Sequence, residues 1–188
     1  MKDRIAFAAL ALAALLSGAV AAQVRSVTAP SGPGALPDDG PVQVRWTDPK
    51  DFTEIRYSRN RFEARRGTWV QRLAEHLRQQ AAQALAPGER LELLITDIDL
   101  AGEYEPVGAD LRDVRVVRDL YPPRMRVDFV RHGADGQVMQ QGSRKLADPG
   151  FLFSTPRSTH DPLRFEKRMI EDWVRREFHS AAESRDRR

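Results

Sequence analysis

Two periodicities alternate along the chain. Val42, Val44 and Trp46 are separated by Gln43 and Arg45, a period of two that predicts a short strand ended by Asp48-Pro49. Residues 50–66 are polar and irregular. From Thr68 to about Leu85 the period lengthens: Val70, Leu73, Ala74, Leu77, Ala81, Ala84 and Leu85 recur at steps of three and four and share one face of a predicted helix. Thr68 supplies its N-cap and Pro87-Gly88 its stop. Leu91 to Leu100 returns to strand, apolar on both faces near its start through Leu91, Leu93, Leu94 and Ile95, as a central strand requires. Asp97 and Asp99 then fall on the face of Leu91, Leu93 and Ile95, where charge breaks the pattern.

Val114, Val116 and Val117 predict a further strand, stopped by Tyr121-Pro122-Pro123. Met125, Val127 and Phe129 alternate with Arg124, Arg126, Asp128 and Arg131, so one face packs and the other meets water. Asp135-Gly136 is a hairpin turn signal leading into a weaker strand, Gln137 to Leu146. Ala147 to His160, with Pro149, Gly150 and Pro156, reads as a long loop carrying Phe151, Leu152 and Phe153. Asp161 as N-cap and Pro162 at the first helical position launch a second helix to about Phe178. The order predicts an α+β fold: a mixed or antiparallel sheet of four to five strands with two helices packed on one face.

The ends of the chain bear on compartment. An apolar run from Ile5 to Ala22, preceded by Lys2 and Arg4 and closing on small residues, predicts an export signal cleaved before Gln23. Its alanine-rich composition and good cleavage site favour this over a membrane anchor. The expected organisation is a signal peptide at 1–22, a flexible leader at 23–41 rich in Pro, Gly and Asp, a single domain at 42–179 and a frayed tail at 180–188. The sequence has no cysteine, which closes lipoprotein anchoring and disulfide stapling and leaves packing to stabilise the domain. A periplasmic or secreted location follows as an expectation, with no transmembrane span after cleavage.

Charge adds little. The net +3 becomes +2 once Lys2 and Arg4 leave together with Asp3, and an excess of Arg over Lys is weak evidence for nucleic acid, which is not an expected partner.

Several strings, taken together, are specific: Trp46 with Asp48-Pro49 and Phe52, the run Ile95 to Glu103, Val114 to Val117 with Pro122-Pro123-Arg124, and Glu166 to Met169 with Trp173. Their order and spacing resemble a family of exported Gram-negative bacterial proteins classified as a domain of unknown function, DUF3016. The resemblance implies a single small domain in the periplasm or outside the cell. It implies no activity or catalytic residues.

Four constellations are candidates for chemistry. Asp97, Asp99, Gly102, Glu103 and Glu105 resemble the first half of a calcium loop, but Ala101 stands at its fifth position and Gly108 where the bidentate Glu belongs. Asp97, Asp99 and Glu103 are therefore weak metal candidates, set against the plainer reading of a carboxylate-rich strand end. Arg56, Arg59, Arg61, Arg65 and Arg66, interleaved with Tyr57 and Phe62, form the densest basic stretch and the candidate anion site, set against a solvated, internally paired loop. Phe151 to Phe153 either tuck under the second helix or form a contact patch. Glu166 falls inside the apolar arc of its helix, and its neighbours three and four residues away are Pro162, Leu163, Met169 and Ile170. A structural buried pair, with Lys145 or Arg115 as partner, is the leading expectation, set against a functional carboxylate poised in a cleft.

His76, His132, His160 and His179 show no metal spacing, and no serine sits in a nucleophile elbow. No cofactor is expected. The leading expectation is a non-enzymatic envelope protein that binds an envelope component, an anionic lipid or a polysaccharide. The rival is a metal-dependent hydrolase built on Asp97, Asp99 and Glu103.

Overall fold

A computed structural model describes residues 32–105, 113–154 and 160–179. The predicted signal peptide, residues 23–31 of the leader, Gly108 and the tail lie outside the described residues. In chain order the strands are β1 (Gly34–Ala35), β2 (Val42–Trp46), β3 (Arg90–Asp99), β4 (Glu103–Tyr104), β5 (Arg115–Val116), β6 (Arg124–His132) and β7 (Val138–Ala147). The helices are α1 (Thr53–Arg56), α2 (Arg61–Ala64), α3 (Trp69–Ala84), α4 (Phe151–Ser154) and α5 (Arg164–Val174).

The fold is α+β. A five-stranded mixed sheet runs in the order β1-β2-β3-β6-β7, and β4 pairs with β5 in a separate small sheet. Among the described residues only the β2–β3 pair is parallel, because α3 intervenes and returns the chain to the same end of the sheet. The other pairs are antiparallel. Register partners Val44, Leu93 and Phe129 all face the core, beneath α3 and α5. Leu73, Ala74, Leu77 and Ala81 of α3 and Ile170 of α5 are fully buried there. The spacing that predicted α3 is thus the spacing that packs it.

Several expectations change in detail. Thr68 precedes α3, but its side chain makes no capping bond. Inside the stretch expected to be a leader, β1 pairs with β2 and Leu36 is buried. Gly34 is required there, since a Cβ would lie 2.5 Å from the Trp46 indole. Residues 50–66, expected to be irregular, form a 3-10 turn, α1 and α2, with Phe52 and Ile55 in the core. Side-chain caps from Asp48 to the Lys50 amide and from Asn60 to the Glu63 amide set two of these turns.

Asp97 and Asp99 do not share the core face of Leu91, Leu93 and Ile95. The ladder between β3 and β6 slips between Ile95 and Asp97, so Thr96 is an extra residue and the alternation reverses. Ile98 goes into the core and the two aspartates turn outward. Arg131, expected on the water face of its strand, has the parity of Phe129 and is 1% exposed, donating to Glu89 from Nε at 3.0 Å and from Nη2 at 2.6 Å.

The strand expected at Val114–Val117 shortens to β5, outside the main sheet, and Val114 and Val117 are exposed. The expected loop 147–160 contains α4, whose Phe151 packs edge-on against Phe165 at 4.8 Å between ring centroids, while Phe153 is 93% exposed. Asp161 Oδ1 accepts the Leu163 amide at 2.9 Å and so caps a turn that precedes the regular helix at Arg164. After Val174 the chain widens into a π turn, Arg175–His179. Glu177 in that turn is gripped by Arg144 of β7 through two hydrogen bonds of 2.8 and 2.7 Å.

Candidate functional site

Where β3 ends, the amides of Leu100, Ala101 and Gly102 leave the ladder and need other acceptors. Three elements supply them. Glu54 of α1 accepts the Leu100 amide through Oε2 at 3.0 Å. Glu166 of α5 accepts the Ala101 amide through Oε1 at 2.7 Å. The Gly102 amide donates to the Tyr121 carbonyl at 3.0 Å. Gly102 itself has φ +85°, and a Cβ there would lie 2.7 Å from the Val116 carbonyl, so glycine lets β4 and β5 fold back over the strand end.

Arg115 of β5 ties this corner together. Its Nη2 pairs with Glu54 Oε1, its Nη1 donates to the Gly102 carbonyl at 2.8 Å, and its guanidinium lies 4.6 Å from the Tyr104 ring centroid. Glu54 is 4% exposed and Glu166 1%. Burial pushes the Glu54 carboxyl up to about 7, against the pull of Arg115 and the Leu100 amide. Burial also raises the Glu166 carboxyl, opposed first by the Ala101 amide. Oε2 of Glu166 is buried and has no hydrogen-bond partner.

A cleft of about 250 Å³ opens beside this corner, lined among others by Glu54, Trp69, Tyr104, Arg115, Leu163 and Glu166. A second recess of about 220 Å³ shares Glu54 and Leu100 and reaches Asp99, Tyr121 and Arg124.

Glu166 therefore has a different partner from the one expected. Lys145 is exposed on β7, and Arg115 is engaged by Glu54; a backbone amide takes the place of the cation. Glu54 was missed by the sequence reading. Its signal was its position between Phe52 and Ile55, three residues apart and both buried, in a stretch too short to show helical periodicity.

The carboxylates proposed for metal are drawn to separate partners. Asp97 accepts the Thr53 amide at 2.7 Å and the Thr53 hydroxyl at 2.8 Å. Asp99 accepts from Arg124 at 3.1 Å, and Glu103 from the Tyr104 amide at 2.8 Å. Among the described residues no group of three His, Asp or Glu side chains is placed to hold a metal ion.

The arginine stretch lies on α1, α2 and their connections. Arg56, Arg59, Arg61, Arg65 and Arg66 are all exposed. Arg66 pairs with Glu63 at 2.8 Å and lies 6.0 Å from the Phe62 ring centroid, and Arg56 lies 5.4 Å from that of Tyr57. Tyr57 and Phe62 are 67% and 74% exposed. Elsewhere His76 contacts Glu171 at 3.2 Å and His132 contacts Glu92 at 3.5 Å, while His160 is exposed.

An α+β domain whose mixed sheet is covered on one face and whose polar cleft sits at the end of a central strand is the class these features define. The chain belongs to the family described as a protein of unknown function, DUF3016, whose model matches residues 40–176. That span runs from just before β2 into the π turn and includes the corner built by Glu54, Arg115 and Glu166. No curated protein and no solved structure shows significant similarity to the chain.

Proposed function

We propose that this is an exported domain, periplasmic or secreted, that binds an anionic component of the cell envelope through the surface of α1 and α2. The observation that carries the reading is the exposure of Tyr57 and Phe62 among five exposed arginines. Packing gives no reason to leave two large aromatic side chains in water, whereas a ligand that buries them gains roughly 25 cal/mol for each Å² of apolar surface covered. Guanidinium forks beside them suit phosphate or carboxylate groups. Arg66 is partly spent on Glu63, and Arg56 lies 5.4 Å from the Tyr57 ring centroid, which leaves Arg59, Arg61 and Arg65 as the main contributors.

Export rests on the charged start, the apolar run Ile5 to Ala22 and the small residues before Gln23. No helix among the described residues is long and apolar enough to cross a membrane.

Two measurements test the reading. Co-sedimentation with vesicles containing phosphatidylglycerol, beside a parallel assay with an acidic polysaccharide, separates the two sources of anionic groups. Binding should fall in the triple variant Arg59→Gln, Arg61→Gln, Arg65→Gln, and equal binding by that variant sinks the site. Mass spectrometry of protein recovered from the periplasm or medium should find a chain beginning at Gln23; an intact Met1 there refutes the processing.

A further inference from the structure

The cleft beside Glu166 is polar, and its charges are almost all satisfied from within the protein. Arg66 is held by Glu63 at 2.8 Å, Arg72 by Asp161 at 3.0 Å and Arg115 by Glu54. Each of these arginines lines the cleft, as do Glu54 and Glu63. Glu166 is the exception. It is nearly wholly buried, holds the Ala101 amide through Oε1, is also stabilised by its own backbone amide, and has no hydrogen-bond partner on Oε2.

Two guanidinium groups act on Glu166 electrostatically, and both are engaged elsewhere. Arg115 serves Glu54 and the Gly102 carbonyl. Arg164 donates to the Asp161 carbonyl at 3.2 Å and lies 4.1 Å from the Phe165 ring centroid. A carboxylate kept from water without a cation of its own is unfavourable unless something completes it.

We propose that this cleft is a binding site for a small organic cation, a primary ammonium or guanidinium group donating to Glu166 Oε2, with Trp69 in the wall beside it. The reason for a cation is local: of the three carboxylates lining the cleft, Glu54 and Glu63 each have an arginine partner and Glu166 has no ion-pair partner among the described residues. An N–H donor of opposite charge meets both the hydrogen-bonding and the Coulomb requirement, whereas a hydroxyl meets only the first. Trp69 is held in place by its indole N–H on the Ala64 carbonyl at 3.0 Å, and an indole face favours a nearby cation. The volume, about 250 Å³, is several times the roughly 30 Å³ share of one water molecule, so an amine bearing several heavier atoms fits. Raising of the Glu166 carboxyl by burial adds a signature, since a bound cation stabilises the ionised form and releases the proton.

This site is distinct from the main contributors to the anion-binding surface: Arg66 borders both, but Arg59, Arg61 and Arg65 do not line the cleft. The test is an NMR titration of the full chain with ethylammonium chloride, with sodium chloride at matched ionic strength and ethanol as controls. The Ala101 amide and the Trp69 indole N–H should shift saturably with ethylammonium, far more weakly with ethanol and not with salt. Glu166→Gln keeps an acceptor for Ala101 but removes the charge, so the dissociation constant should rise about tenfold or more, the scale of a lost charged hydrogen bond. In the unmodified chain the response should also weaken as the pH falls and Glu166 is protonated, a readout that does not depend on any variant folding. Equal shifts with ethanol, a pH-independent response, or unchanged binding by a folded Glu166→Gln overturns the proposal. Vesicle binding through the arginine surface would survive each of those outcomes.

Discussion

Glu166 accepts the Ala101 backbone amide at 2.7 Å while its second oxygen is buried without a hydrogen-bond partner, so a carboxylate from α5 completes the end of β3. This relationship fixes the sign of a pH effect. A carboxyl raised in the folded state above its ordinary value of 4.5 contributes stability that is fully present below pH 4.5 and is lost as the pH rises through the folded-state value. Glu54 does the same over the window from 4.5 to about 7. Glu166→Gln removes one of these two contributions. Its stability should match that of the wild type near pH 4.5 and exceed it increasingly as the pH rises through the folded-state value of Glu166. Urea melts of both proteins across this range provide the check, and the difference between them cancels the opposite trend from His76, whose protonation burial disfavours. A difference that does not vary with pH would refute the assignment.

Replacing the same residue with alanine should act differently. Glu166→Ala leaves the buried Ala101 amide without its acceptor, a loss of about 1 to 3 kcal/mol relative to Glu166→Gln. Denaturant melts at pH 5, where the carboxyl charge matters least, isolate this effect. Equal stability of the two variants would mean that water replaces the side chain at the amide.

Much of this corner was legible in part. Glu166 stood out because its helix is long enough for an apolar arc to be drawn, and a carboxylate inside that arc has to be accommodated. What held it was not legible, since backbone amides leave no mark in a sequence and Ala101 became available only where β3 stopped. The same limit explains Asp97 and Asp99. Strict alternation put them on the core face, but one extra residue at Thr96 reverses the parity, and nothing in Ile95-Thr96-Asp97 announces a bulge. Arg131, by contrast, could have been placed from parity alone, because it continues Met125, Val127 and Phe129. The short turns of α1 and α2 escaped because four residues cannot show a period of 3.6, although Asp48-Pro49 carried the cap of the 3-10 turn before α1 and Asn60 that of α2.

Among the described residues Glu89 and Arg131 form the most deeply buried ion pair, with side chains 5% and 1% exposed. Removing one partner strands the other charge in the core. Glu89→Ala should therefore destabilise the domain by roughly 3 to 5 kcal/mol, more so because Glu89 also accepts the Ala86 amide at 3.1 Å. A melt within about 0.5 kcal/mol of wild type, the range of an ordinary surface change, would show that Arg131 finds water or another acceptor.

Asp97 holds both the amide and the hydroxyl of Thr53 and so anchors α1, which carries Glu54, to β3. Asp97→Ala should destabilise by about 1 to 2 kcal/mol through those two bonds. Calcium, magnesium or zinc should leave the melting temperature of the wild type unchanged, because Asp97, Asp99 and Glu103 answer to different partners. A rise in melting temperature with any of these ions, abolished by Asp97→Ala, would restore the metal reading.

Phe62 separates the two contributions to the proposed anionic surface. At 74% exposed it contributes little to the folded state, so Phe62→Ser should leave stability within about 0.5 kcal/mol of wild type. Its effect should appear in binding to phosphatidylglycerol vesicles, where the ring would leave water. Charge contacts are screened over about 8 to 10 Å at physiological ionic strength, whereas apolar burial is not. The triple arginine variant should therefore flatten the dependence of binding on salt, while Phe62→Ser should weaken binding at every salt concentration and keep the slope. If Phe62→Ser binds like wild type throughout, the aromatic side chains take no part and the arginines act alone. If the triple variant keeps both affinity and slope, the surface of α1 and α2 is a solvated face, with its arginines answered by neighbours such as Glu63.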